Sequence, residues 1–97
     1  MAKTPEGVFQ DKVIKYLKSH PRCWYTKIFG GGFQRAGIPD ILACVNGVFV
    51  AIELKREGGK ATPLQVYNIQ KIKECGGIGY ILHPSQFEEF KEIINKI

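Results

Sequence analysis

Two apolar runs, Ile41-Leu42-Ala43-Cys44-Val45 and Val48-Phe49-Val50-Ala51-Ile52, flank the dipeptide Asn46-Gly47. Both turn residues tolerate positive φ, which makes this pattern the strongest short-range signal for a two-residue β-hairpin. A loop that short fixes the register. Val45 then faces Val48, and counting outward sets Asp40 opposite Glu53. Side chains alternate along a strand, so Lys55 projects on the face of Glu53. The hairpin therefore predicts two carboxylates roughly 5 Å apart across the strands, with an ammonium one step along. Opposed like charges are destabilising, and a divalent cation is the simplest group to hold them together.

The second strand of the hairpin is apolar on both faces, with Val48, Val50, Ile52 and Leu54 on one side and Phe49 and Ala51 on the other. Such a strand is central in its sheet, and an acid buried there needs a partner. Reduced to spacing, the pattern is Pro39-Asp40, twelve intervening residues, then Glu53-x-Lys55. Hard cations prefer oxygen donors, and Mg²⁺ takes one or two carboxylates together with waters and substrate phosphate oxygens. Asp40 and Glu53 offer the carboxylates, and the backbone carbonyl of Leu54 is placed to add a third oxygen. A metal so held polarises phosphoryl oxygens and activates water. Lys55 is placed to orient the attacking water or to offset charge growing on phosphorus. Hydrolysis of a phosphodiester is the reaction that needs all three groups.

Charge distribution agrees with a polyanionic partner. Residues 1–60 hold ten Lys/Arg against five Asp/Glu, whereas residues 61–97 hold four of each, so the whole excess of +5 lies with the candidate site. Such a surface attracts nucleic acid, although basic character also serves solubility. Ninety-seven residues make one domain, spanning 1–97. No apolar run approaches the roughly 20 residues of a membrane span. The start of the chain shows no apolar segment of a signal peptide. Cys23, Cys44 and Cys75 are odd in number and widely spaced, which fits neither a disulfide framework nor a zinc knuckle and indicates a reducing cytoplasm.

The remaining elements follow from caps and periodicity. Thr4-Pro5-Glu6 reads as N-cap, N1 and an acidic first turn, followed by an apolar stripe of Val8, Phe9, Val13, Ile14 and Leu17 that ends before Pro21. Cys23 to Phe29 reads as a strand, broken by Gly30-Gly31-Gly32. Those glycines are no phosphate-binding Walker loop, since no Gly-Lys-Ser/Thr follows. Thr62-Pro63-Leu64-Gln65 opens a second helix that Gly76-Gly77 terminates. Ile78 to Leu82 is a short buried strand, joined to the hairpin by a parallel crossover. Ser85-Gln86-Phe87-Glu88 reads as a capping box opening a last helix through Ile94. His20 and His83 stand beside prolines without ligand spacing and read as turn residues. The order is α-β-β-β-α-β-α, one α/β domain.

Glu6, Gly37-x-Pro39-Asp40, Glu53-x-Lys55 and Thr62-x-x-Gln65 together resemble the PD-(D/E)xK nuclease superfamily, and within it the VRR-NUC (virus-type replication-repair nuclease) family. The resemblance spans almost the whole chain. It implies a restriction-endonuclease-like αβββαβα core, a small mixed sheet flanked by helices. It also implies a DNA endonuclease dependent on Mg²⁺ or Mn²⁺, acting in a bacterial or phage-infected cell. Stand-alone members form homodimers that act on branched DNA such as four-way junctions. Carried over by residue, Asp40, Glu53, Lys55 and Gln65 are catalytic, and Asp40, Glu53, the Leu54 carbonyl and Glu6 are metal ligands. Glu6 also suits the helix dipole, and Gln65 also closes a capping box with Thr62. Lys27, Arg35, Arg56 and Lys60 are candidate DNA contacts, each also readable as a solvated surface charge. Competing readings are a restriction-like or classical junction-resolving nuclease, and a DNA-binding module of the same fold without catalysis. A homodimer is further expected from the apolar residues of the last helix (Phe87, Phe90, Ile93, Ile94, Ile97) and from Tyr67 and Ile69 on the second.

Overall fold

The computed structural model describes residues 4–29 and 36–97. Arg35 and the Gly30–Gly32 break lie outside the described residues. Helix α1 (Pro5–Ser19) starts where the chain is suited to start one: Pro5 occupies the first turn, and Thr4 Oγ1 accepts the Gly7 amide at 3.1 Å. Strands β1 (Cys23–Lys27), β2 (Ile41–Val45) and β3 (Val48–Leu54) form an antiparallel meander. Helix α2 (Pro63–Glu74) then carries the chain to β4 (Ile78–Leu82), which pairs parallel with β3. A 3₁₀ turn (Pro84–Gln86) leads into α3 (Phe87–Asn95). The sheet order is β1-β2-β3-β4, so β3 is interior, as its two apolar faces require.

The hairpin register is the predicted one, with Val45 opposite Val48 and Ile41 opposite Ile52. Asn46 at φ 50° and Gly47 at φ 82° make the turn that the two-residue loop demands. Ladder pairing stops at Ile41–Ile52. One step further out, Asp40 and Glu53 stand at the sheet end as side chains rather than as a ladder pair.

The two faces of the sheet are covered unequally. On one, Ile41, Ala43, Val45, Val50, Ile52 and Leu82 pack with Phe9, Val13 and Leu17 of α1 and Phe90 and Ile94 of α3 into a single buried cluster. Each such side chain contributes about 1.5–3 kcal/mol on burial. The two helices lock to each other through Tyr16, whose hydroxyl reaches Asn95 Oδ1 at 2.6 Å, and through edge-to-face packing of Phe9 on Phe87. On the other face α2 alone packs on β3 and β4, burying Ile69 and Ala51. Among the described residues no helix covers the β1–β2 half of that face, and Trp24, Cys44 and Phe49 lie abreast across three strands there. Trp24 is 65% exposed and Phe49 45%.

Two sequence-based expectations shift. The last helix does not open with a Ser85 box: the Ser85 amide goes to the Glu57 carboxylate, Gln86 Oε1 takes the His83 amide, and α3 begins at Phe87 after the 3₁₀ turn. The apolar residues of α3 are also not surplus. Phe90 and Ile94 are core, and Phe87 and Ile97 pack against it, while the exposed large apolar residues include Leu64, Val66 and Tyr67 of α2, Trp24 and Phe49 of the sheet and Val8 of α1. Among the described residues no helix is long and apolar enough to cross a membrane, and the three cysteines are free.

Candidate metal centre

The site forms where β3 outruns β2. Beyond Ile41 the β2 backbone turns away through Pro39, leaving the Leu54 N–H without a ladder acceptor. Asp40 fills the place with its side chain: Oδ2 accepts the Leu54 amide at 2.8 Å, while the Asp40 carbonyl accepts the Ile28 amide at 2.8 Å. Asp40 is thus tied by its carboxylate to β3 and by its backbone carbonyl to the residue that follows β1. In a strand the N–H and C=O of one residue project to the same side, so the Leu54 carbonyl also points toward Asp40. Asp40 and the Leu54 backbone thus meet at this end of β3, with Glu53 one residue before Leu54.

Asp40 is aimed by the segment before it. Gly37, at φ 79°, sits so close to α2 that a Cβ would lie 2.6 Å from Leu64 Cγ. Its carbonyl accepts Asn68 Nδ2 at 2.8 Å. A side chain at position 37 would push the Ile38–Pro39–Asp40 segment off the helix.

Glu53 is the one buried charged residue of the described core, at 3% exposure. Its Oε2 lies 3.4 Å from Lys55 Nζ, but Oε1 is buried with no hydrogen-bond partner. Burial pushes its pKa up to about 7, the adjacent Asp40 carboxylate pushes it the same way, and Lys55 only partly opposes them. A buried acceptor without a donor, beside a second carboxylate, is an unfavourable arrangement for a protein interior. A divalent cation would satisfy the orphan oxygen and neutralise both carboxylates, so these residues fit the group that the spacing implied.

The remaining candidates are less uniform. Glu6, exposed at the start of α1, lines a cleft of about 310 Å³ with Leu54, Lys55, Arg56, Gly59 and Lys60. Among the described residues no three His, Cys, Asp or Glu side chains converge as a ligand cluster, so Glu6 flanks the pair rather than joining it. Gln65 shows its capping role: Oε1 accepts the Thr62 amide at 2.8 Å and Thr62 Oγ1 accepts the Gln65 amide at 3.2 Å. Lys27 ends β1 beside Ile41, its Nζ 4.8 Å from the centre of the exposed Phe29 ring. Arg56 and Lys60 are exposed on the wall of the cleft.

Sequence reading missed His83 and Glu57. His83 Nε2 lies 2.7 Å from the Gly59 carbonyl and Nδ1 lies 3.1 Å from Gln86 Oε1, while Glu57 holds the Ser85 amide. That amide keeps the Glu57 pKa below the ordinary range. The Gln86 contact is local, but those of Gly59 and Glu57 join segments 24 and 28 residues apart, and no local pattern announces them. Comparison with protein-family models, with curated proteins and with solved structures finds no match for the chain.

Proposed function

We propose that this chain is a metal-dependent DNA endonuclease of the VRR-NUC type, with the sheet and helices forming a restriction-endonuclease-like core. The observation that carries the reading is the buried, half-unpartnered Glu53 beside Asp40, with Lys55 attached. Asp40, Glu53 and the Leu54 carbonyl would hold Mg²⁺ or Mn²⁺, with Glu6 at the margin. Such a cation supplies Lewis-acid polarisation of a phosphodiester and lowers the pKa of water.

The chain's own residues do the rest. Asp40 is fixed by two backbone hydrogen bonds and needs no reorganisation to present its carboxylate. Lys55, 20% exposed, stands at the border between the buried acid and the open cleft, where it orients water and offsets charge on a phosphoryl group. Arg56, Lys60 and Lys27 provide cations at the same end of the sheet for backbone phosphates. A domain this small leaves little room for a separate base-reading element, so the reading favours shape over sequence. Two chains related by a two-fold would cut two strands, which suits branched DNA such as a four-way junction.

Purified protein incubated with linear, flapped and four-way DNA and Mg²⁺ or Mn²⁺ is expected to cleave, with the branched forms preferred. Asp40→Asn and Glu53→Gln preserve volume and are expected to lower cleavage about 10³-fold or more while retaining DNA affinity. Lys55→Ala is expected to keep metal binding and lose turnover. Undiminished cleavage by either carboxylate variant overturns the reading. DNA affinity is expected to fall with salt at a log–log slope of about −0.9 per phosphate neutralised. A flat salt response removes the phosphate-contact part of it.

A further inference from the structure

The contacts of His83 favour one protonation state. The backbone amide of His83 can only donate, and it donates to Gln86 Oε1 at 3.2 Å. That fixes the orientation of the Gln86 amide, so the atom 3.1 Å from His83 Nδ1 is an acceptor. The other ring nitrogen, Nε2, lies 2.7 Å from the Gly59 carbonyl, which is also only an acceptor. A neutral imidazole carries one N–H and would set a lone pair against one of these oxygens. Only the imidazolium satisfies both.

The Gly59 carbonyl belongs to the segment between β3 and α2. Lys55 begins it, with its amide on the Leu82 carbonyl at 2.9 Å, and a turn closes it, with the Gly59 amide on the Arg56 carbonyl at 2.9 Å. Glu57, inside that turn, holds the Ser85 amide. The Arg56–Lys60 loop is therefore fastened to the β4–α3 connection at two points, the ring of His83 and the carboxylate of Glu57. This loop forms the cationic wall of the cleft that Leu54, Lys55 and Glu6 complete.

We propose that His83 is a positioning residue that, as the imidazolium, latches the Arg56–Lys60 loop and so sets the phosphate-binding wall of the cleft in a pH-dependent way. The proposal deepens the nuclease reading and rests on it for the identity of the anion; the latch itself does not. The charged groups facing the ring are Glu57, which favours its protonation, and Lys55, which opposes it. Led by the hydrogen bond to the Gly59 carbonyl, the balance raises the pKa of His83 above the ordinary histidine value. The latch is then fully formed below the unfolded-state pKa and is lost as pH rises through the folded-state value. Glu57 keeps its grip on Ser85 throughout, so the loop loosens rather than detaches.

The test uses the full chain. In ¹⁵N NMR, His83 is expected to carry protons on both ring nitrogens at about pH 6 and to titrate above the ordinary histidine value. The Gly59 and Lys60 amides should shift and exchange faster along the same curve. A neutral His83 at that pH, or loop amides indifferent to its titration, overturns the latch whether or not the protein cleaves DNA. With Glu53→Gln in both proteins to remove its own titration, binding to a short duplex in EDTA is expected to weaken several-fold between about pH 6 and about pH 9 with His83 present, and to vary much less in His83→Gln. His20→Gln should retain the native profile. A pH dependence equally strong in His83→Gln overturns the positioning role. If no duplex binds at any pH while the loop amides follow His83, the latch stands and the nuclease reading fails.

Discussion

The two faces of the sheet solve different problems with the same strands. Toward α1 and α3, Ile41, Val45, Val50, Ile52 and Leu82 are fully buried against Val13, Leu17, Phe90 and Ile94, with no charge among them. Toward α2, the alternate residues of the same strands include the buried acid Glu53, the exposed Phe49 and Trp24, and a groove of about 390 Å³ lined by Pro39, Leu42, Asn68 and Ile72 among others. One face is closed and dry. The other keeps an unsatisfied carboxylate at its end. A one-residue slip of the hairpin would exchange the faces, which is why the Asn46–Gly47 turn matters to chemistry and not only to folding.

Truncation on the closed face should show the largest effect on stability. Phe90→Ala removes a fully buried ring that packs on Tyr80 and Tyr16 and is expected to cost about 3–5 kcal/mol in denaturant unfolding. A loss below about 1 kcal/mol would mean that α3 is not part of the core.

The open face should respond to pH instead. Glu53 titrates at about 7 in the folded chain against an ordinary 4.5, so the folded state binds more protons across that interval. Stability should therefore fall as pH rises from about 4.5 to about 7, with about 3 kcal/mol of the loss due to Glu53. Glu53→Gln should flatten most of that slope. A slope unchanged by the substitution would place the titration elsewhere.

Trp24→Ser, on the uncovered half of the open face, should change stability least, within about 0.5 kcal/mol by thermal melting. A larger loss at micromolar concentration, with a melting temperature that falls on dilution in the native protein but not in Trp24→Ser, would show that a second copy covers Trp24 and Phe49.

Much of this was legible in the sequence because it is local. Turn chemistry at Asn46-Gly47 gave the register, caps at Thr4 and Thr62 gave two helix starts, and alternation in β3 showed that Glu53 sits in an interior strand. Tertiary relations were not legible. The periodicity of α3 marks an apolar face but not its partner, so Phe90 and Ile94 read equally as interface or core until α1 is seen beside them. Ser85 could open a capping box for α3, and only the Glu57 carboxylate, 28 positions away, shows that its amide goes elsewhere. The same holds for His83, whose two ring contacts come from residues three and twenty-four positions away.

The central claim is that Asp40 and Glu53 are held together for a divalent cation. Calorimetric titration of Mn²⁺ into the protein near neutral pH, in two buffers of different ionisation enthalpy, tests it most directly. The account expects about one site per chain, with a fraction of a proton released on binding as the raised Glu53 carboxyl ionises. Both signals should vanish in Asp40→Asn and Glu53→Gln. Equal binding by the native protein and both variants, or none by the native protein at millimolar Mn²⁺, would contradict it.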